Sequence, residues 1–166
     1  MGTPTYIALA TITLTGSDGE IVFSNIPQSF RDLVIVANFQ NSGTGSASRL
    51  RLNGDTGSSY FSVWMVANGS STGSSSESSQ TSARLFGAAT GPSNAFSNIG
   101  TVQIMDYTAT DKHKIALARF GSANTDAQAS SIRWASNSAI SSITIFDVLG
   151  QTYQAGSTFS LYGVRA

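Results

Sequence analysis

No window of eleven or more residues carries apolar side chains at helical spacing between helix caps, whereas short segments alternate apolar and polar residues and stop at turn residues. That pattern restricts the chain to strands. Arg49, Leu50, Arg51, Leu52 and Asn53 show it plainly, with two leucines on one side and two cations and an amide on the other. Composition agrees: 45 of the 166 residues are Ser or Thr and only 11% are charged, which disfavours surface helices built on Lys and Glu.

Strand segments are expected at Tyr6 to Leu14, Glu20 to Ser24, Asp32 to Asn41, Arg49 to Asn53 and Tyr60 to Ala67. Further ones follow at Arg84 to Phe86, Phe96 to Tyr107, Lys114 to Gly121, Ser131 to Ala135, Ile140 to Asp147 and Thr158 to Val164. The first two are expected to form a hairpin across Thr15 to Gly19, whose Asp-Gly pair tolerates positive φ. In the first strand Tyr6, Ala8, Ala10, Ile12 and Leu14 would share one face, with Ile7, Leu9, Thr11 and Thr13 on the other. Asp32 to Asn41 places apolar residues on consecutive positions, the pattern of a strand covered on both faces. Asn68 to Ser82 has no aliphatic or aromatic side chain and reads as an exposed loop projecting outward. Thr125 to Ser131 is the one stretch where a short helix or turn has room. These elements predict an all-β chain: a short arm over residues 1–5, then one antiparallel β-sandwich over 6–166 with about nine or ten strands. A chain of this length can bury about 70% of its unfolded surface and needs no disulfide or metal to fold; none is available from thiols, since cysteine is absent.

Nine basic and nine acidic side chains cancel, and the basic ones are dispersed, so the clustered positive charge of a nucleic-acid binder is missing. Apolar runs fall far below the roughly 18 residues of a membrane-spanning helix, and Met1 to Thr5 lacks the start of a signal peptide. A protein made in the cytoplasm is expected, with no nucleic-acid or membrane partner.

No catalytic, cofactor or metal constellation emerges. His113, the single histidine, sits between Lys112 and Lys114 and reads as a solvated turn residue. No Gly-x-Ser-x-Gly elbow accompanies the many serines. Asn53 and Asp55 offer oxygens that fit turn capping better than calcium, and Asn68-Gly69-Ser70 is formally a glycosylation sequon. Partner contacts are the remaining possibility. Arg49, Arg51, Arg119 and Arg133 lie on or near strands, and Trp64 and Trp134 are either core residues or platforms for a sugar or a subunit.

Three stretches together resemble a β-rich family of virion proteins of tailed bacteriophages. They are Ile26-Pro27-Gln28-Ser29-Phe30-Arg31-Asp32-Leu33-Val34-Ile35, Arg51-Leu52-Asn53-Gly54-Asp55-Thr56-Gly57-Ser58-Ser59-Tyr60, and Ala155-Gly156-Ser157-Thr158-Phe159-Ser160-Leu161-Tyr162-Gly163-Val164. The resemblance implies a jelly-roll-like sandwich that assembles as a homo-oligomer, a trimer or else a dimer, with no catalytic residues. Because the chain begins five residues before its first strand and has no shaft segment, the expected role is capsid decoration on the head surface, with the major capsid protein as partner. A receptor-binding or glycan-binding module of the tail is the alternative. Arg165 and Ala166 extend beyond the point where the family pattern would end.

Overall fold

A computed structural model describes residues 5–43, 47–87, 97–123 and 126–165. All regular structure among them is β: β1 (Tyr6–Thr13), β2 (Glu20–Phe23), β3 (Asp32–Phe39), β4 (Ser48–Leu52), β5 (Tyr60–Ala67), β6 (Thr72–Gln80), β7 (Ala83–Phe86), β8 (Asn98–Met105), β9 (Lys114–Ser122), β10 (Ala127–Trp134), β11 (Ile143–Asp147) and β12 (Thr158–Val164). They pair antiparallel in an eight-stranded sheet, β1-β12-β3-β8-β9-β10-β5-β6, and a four-stranded sheet, β2-β11-β4-β7. From β1 onward the chain crosses between the sheets at each step, except along β5-β6 and β8-β9-β10. The double Greek key of a jelly roll produces this alternation. The two four-stranded sheets of an eight-stranded jelly roll are β1-β12-β3-β8 and β2-β11-β4-β7, and β9, β10, β5 and β6 widen the large sheet beyond β8.

Period-2 alternation sends one row of each strand into the space between the sheets. Leu33, Ile35, Ala37 and Phe39 of β3, Val102 and Ile104 of β8 and Ala116, Ala118 and Phe120 of β9 meet Leu50, Leu52, Leu85, Phe86 and Ile145 of the small sheet. Phe39 is the hub, with ring centroids 5.7 Å from Phe86, 5.5 Å from Tyr153 and 5.8 Å from Phe159. The β4–β5 connection reverses at Asn53-Gly54, both at positive φ (52° and 66°), and the Asp55 amide donates to the Leu52 carbonyl at 3.0 Å. Those dihedrals are the reason for Asn followed by Gly. The Asn53 side chain then accepts from the Ser141 and Ser142 amides at 2.8 and 3.1 Å, tying this turn to the start of β11.

Several expectations are corrected. Among the described residues there are twelve strands where about nine or ten were expected, and one of them is the Ser-rich segment expected to be a loop: it is the edge strand β6, paired with β5 from Thr72↔Ala67 to Tyr60↔Gln80. A ladder needs backbone donors and acceptors, not apolar side chains, and β5 offered a free edge. Asn68 makes the turn, its Oδ1 accepting from the amides and hydroxyls of Ser70 and Ser71 at 2.9–3.2 Å. β1 and β2 form no hairpin; β1 pairs with β12 and β2 with β11, in different sheets. A bulge between Ala8 and Ala10 also shifts the phase of β1, so the sheltered side chains are Ile7 and Leu9 before it and Ile12 and Leu14 after it. Of the residues allowed for a helix, 127–131 lie in β10 and Asp126 precedes it; Thr125 is outside the described residues, as are residues 1–4 of the expected arm, Phe96 and Ala166. Arg165 continues the β1 edge by donating its amide to the Thr5 carbonyl at 3.0 Å.

Candidate functional site

β3 was expected to be covered on both faces, and within this chain it is covered on one. Its outward residues Val34 and Val36 are half-buried and exposed. The same holds across the large sheet. Ladder pairing aligns Val36, Thr101, Arg119, Ala129, Met65 and Ser74 in one outward row, and Val34, Gln103, Leu117, Ser131, Val63 and Ser76 in the next. Among the described residues ten large apolar side chains are exposed, and seven of them, Tyr6, Val36, Val63, Met65, Ile99, Ile115 and Leu117, belong to the outer side of this sheet at 38–63% exposure. Single exposed apolar residues are ordinary; seven gathered on one face, with Thr101, Gln103, Arg119 and Ser131 among them, are not.

This outer face is hollowed. Tyr6 of β1 and Val63 of β5 line one trough of about 550 Å³ although five strands separate theirs in the sheet order. A shallower depression of about 720 Å³ adjoins it toward β6, and Arg119, Met65 and Ala129 border both.

The six residues singled out from sequence fall in three places. Trp134 is in the core, 3% exposed, stacked on Tyr60 with centroids 6.4 Å apart, its Nε1 donating to Asp55 Oδ2 at 2.6 Å. It is no contact platform, because a ring that satisfies its one donor internally and packs between sheets has no free face. Trp64 belongs to the inward row of β5 with Tyr60 and Ser62, and the Arg84 guanidinium lies 4.8 Å above its ring. Arg49 and Arg51 are on the outer side of the small sheet, away from the trough. Arg49 forms a largely buried ion pair with Glu77, and Arg51 stacks on Phe146 at 4.6 Å. Arg133 and Arg119 are on the hollowed face. Arg133 covers Phe61, its cross-strand neighbour, at 4.0 Å, while Arg119 stands exposed at the centre.

Sequence reasoning did not assemble the apolar rows or the Arg49–Glu77–Arg84 corner. Glu77 Oε1 also accepts from the Arg84 amide at 3.2 Å, and Ser62 Oγ accepts from it at 3.1 Å, so the free edge of β7 is capped by the large sheet. The signal for the rows was present in the consecutive apolar positions of 33–37 and 63–67.

Other candidate groups have structural work. Asp55 accepts from Ser59 Oγ, Trp134 Nε1 and the Gly57 amide, and these bonds hold its carboxyl below the usual range, the Ser59 and Trp134 bonds first, against an opposing effect of burial. Burial pushes the Tyr60 phenol up to about 12, its oxygen accepting from the Leu52 amide at 2.9 Å. Buried Lys114 has its pKa lowered by desolvation and donates to the Ala109 and Lys112 carbonyls at 2.5 and 3.0 Å. His113 is exposed on the turn before β9. Among the described residues no three His, Asp or Glu side chains gather in a metal-binding group.

Comparison with protein-family models and with curated proteins finds no match.

Proposed function

We propose that this protein is a structural component of a tailed-phage virion, without enzymatic activity, which decorates the head by docking on the outer face of the major capsid lattice. One observation carries the reading: a jelly roll whose larger sheet leaves an apolar, hollowed outer face bare. A face with this many exposed apolar side chains costs solubility unless another surface covers it. The three family-like stretches support the virion assignment. They supply the β4–β5 turn, the central strand β3 and the closing strand β12, so they account for the scaffold of the face more than for its contacts. The protein assembles as a homotrimer, or else a dimer, and Val22, Val148 and Leu149, exposed away from the hollowed face, remain for contacts between copies.

Mass spectrometry of purified virions with immunogold localisation tests this. Label over the head is expected. Label restricted to tail tips replaces the decoration role with a tail-module role, and absence from virions rejects both.

A further inference from the structure

Arg119 is the feature of the face that the docking role leaves unused. Every other cation on a strand among the described residues has a partner in the chain: Arg49 has Glu77, Arg51 lies on Phe146, Arg84 on Trp64, Arg133 on Phe61, and Lys114 holds two carbonyls. Arg119 has none, and it lies in the middle of the outward rows between Thr101 and Ala129. Among the described residues no carboxylate on this side of the sheet is exposed near it: Glu77 faces Arg49, and Asp32 is buried at the start of β3, where half-exposed Arg31 pairs with it. Resting on the reading of this face as a docking surface, we infer that the trough receives a polypeptide segment of a partner protein that is apolar on one side and carries a carboxylate, which forms a bidentate pair with Arg119.

Charge, size and shape each bear on the occupant. Two copies placed face to face would bring two unpaired guanidiniums and no anion into one apolar contact, an arrangement that opposes pairing. Seven strands at about 4.8 Å and eight residues at about 3.3 Å give a face of roughly 900 Å², close to the roughly 800 Å² per partner of a stable protein interface. Small-ligand sites instead enclose about 70–90% of their occupant; this trough is open along its length and continues into the second depression. Arginine in place of lysine suits the task, because its planar fork matches a carboxylate and its weak hydration lowers the cost of covering it with apolar groups.

The test uses the full chain and three labelled amphipathic peptides of about 18 residues, some 27 Å as a helix. Each has a Leu/Val stripe, with Glu, Gln or Lys at its centre. Fluorescence anisotropy is expected to rank Glu at least tenfold tighter than Gln, with Lys weakest. R119E, an exposed substitution checked for folding by circular dichroism, is expected to invert the order, and M65D to abolish binding of all three. Equal binding of the three peptides, no binding, or an order unchanged in R119E overturns the inference. So does saturation by dodecanoate without peptide binding, which makes the trough a small-amphiphile site, or conversion of an oligomer to monomers by M65D, which makes a second copy the occupant. The virion measurement is independent: head label with failed peptide binding sinks this inference alone, and peptide binding without virion incorporation sinks the decoration role alone.

Discussion

At the scale of single residues, the fold depends on a few positions where one atom decides. Gly100 on β8 faces Phe86 so closely that an added Cβ would lie 2.4 Å from the ring. Gly100→Ala must displace an aromatic side chain that also packs on Phe39 and Phe120. It is expected to cost about 1–3 kcal/mol, read as a fall in Tm of several degrees. Asp55 gathers the Gly57 amide, Ser59 and Trp134 around one carboxylate, so Asp55→Ala leaves the buried indole N–H without its acceptor and should cost about 1–3 kcal/mol at pH 7. The folded pKa of Asp55 lies below its ordinary 3.8. Its stabilising contribution is therefore complete above the unfolded value and fades as pH falls through the folded one. The difference in urea midpoint between the native chain and Asp55→Asn should be constant from pH 7 to 5 and shrink below about pH 4. A difference that grows in acid would refute the assignment.

At the scale of elements, β6 is the strand whose removal tells most. It has no apolar anchor, yet it covers the edge of β5, and it contributes Glu77 to the corner with Arg49 and the Arg84 amide. Glu77→Ala strands a largely buried guanidinium beside Arg84, with which Arg49 is paired across the β4–β7 ladder. A cost of about 3 kcal/mol follows from breaking such a pair. Replacing residues 70–79 with a four-residue turn should be worse than that single change, because it also exposes the β5 ladder. Thermal denaturation of both variants checks the order. A shortened variant as stable as the native chain would show that β6 is held only weakly against β5.

At the scale of the whole molecule, the large sheet has two unlike faces. The inner one is completed by the four-stranded sheet; the outer one ends in exposed Met65, Val63, Leu117 and Ile99. The proposed assembly predicts a trimer, or a dimer, at micromolar concentration by sedimentation equilibrium. A strict monomer at all concentrations, both free and on particles, rejects it. Met65→Asp is expected to leave that state unchanged while lowering occupancy on particles, since the hollowed face is assigned to the partner and not to the neighbouring copy.

The amino-acid order by itself determined the class of structure, because alternation at a period of two and turn chemistry such as Asn53-Gly54 are local and need no tertiary partner to be read. It also marked the strand β3 as apolar on both sides. What it left open was which strands pair. β6 is a strand because β5 presented an edge, and β1 joins β12 instead of β2, choices made by ladders between segments up to 158 positions apart (Tyr6↔Val164). The candidate site divides the same way. The basic strand residues were legible one by one, but only pairing between strands shows that Arg49, Arg51, Arg84 and Arg133 are already matched and that Arg119 is not. Trp134 carries the same lesson: its neighbours in sequence say nothing of Asp55, 79 residues away, whose carboxylate makes the indole part of the core. A side chain's chemistry is written locally; whether that chemistry is spent inside the fold depends on contacts that exist only after the sheets have closed.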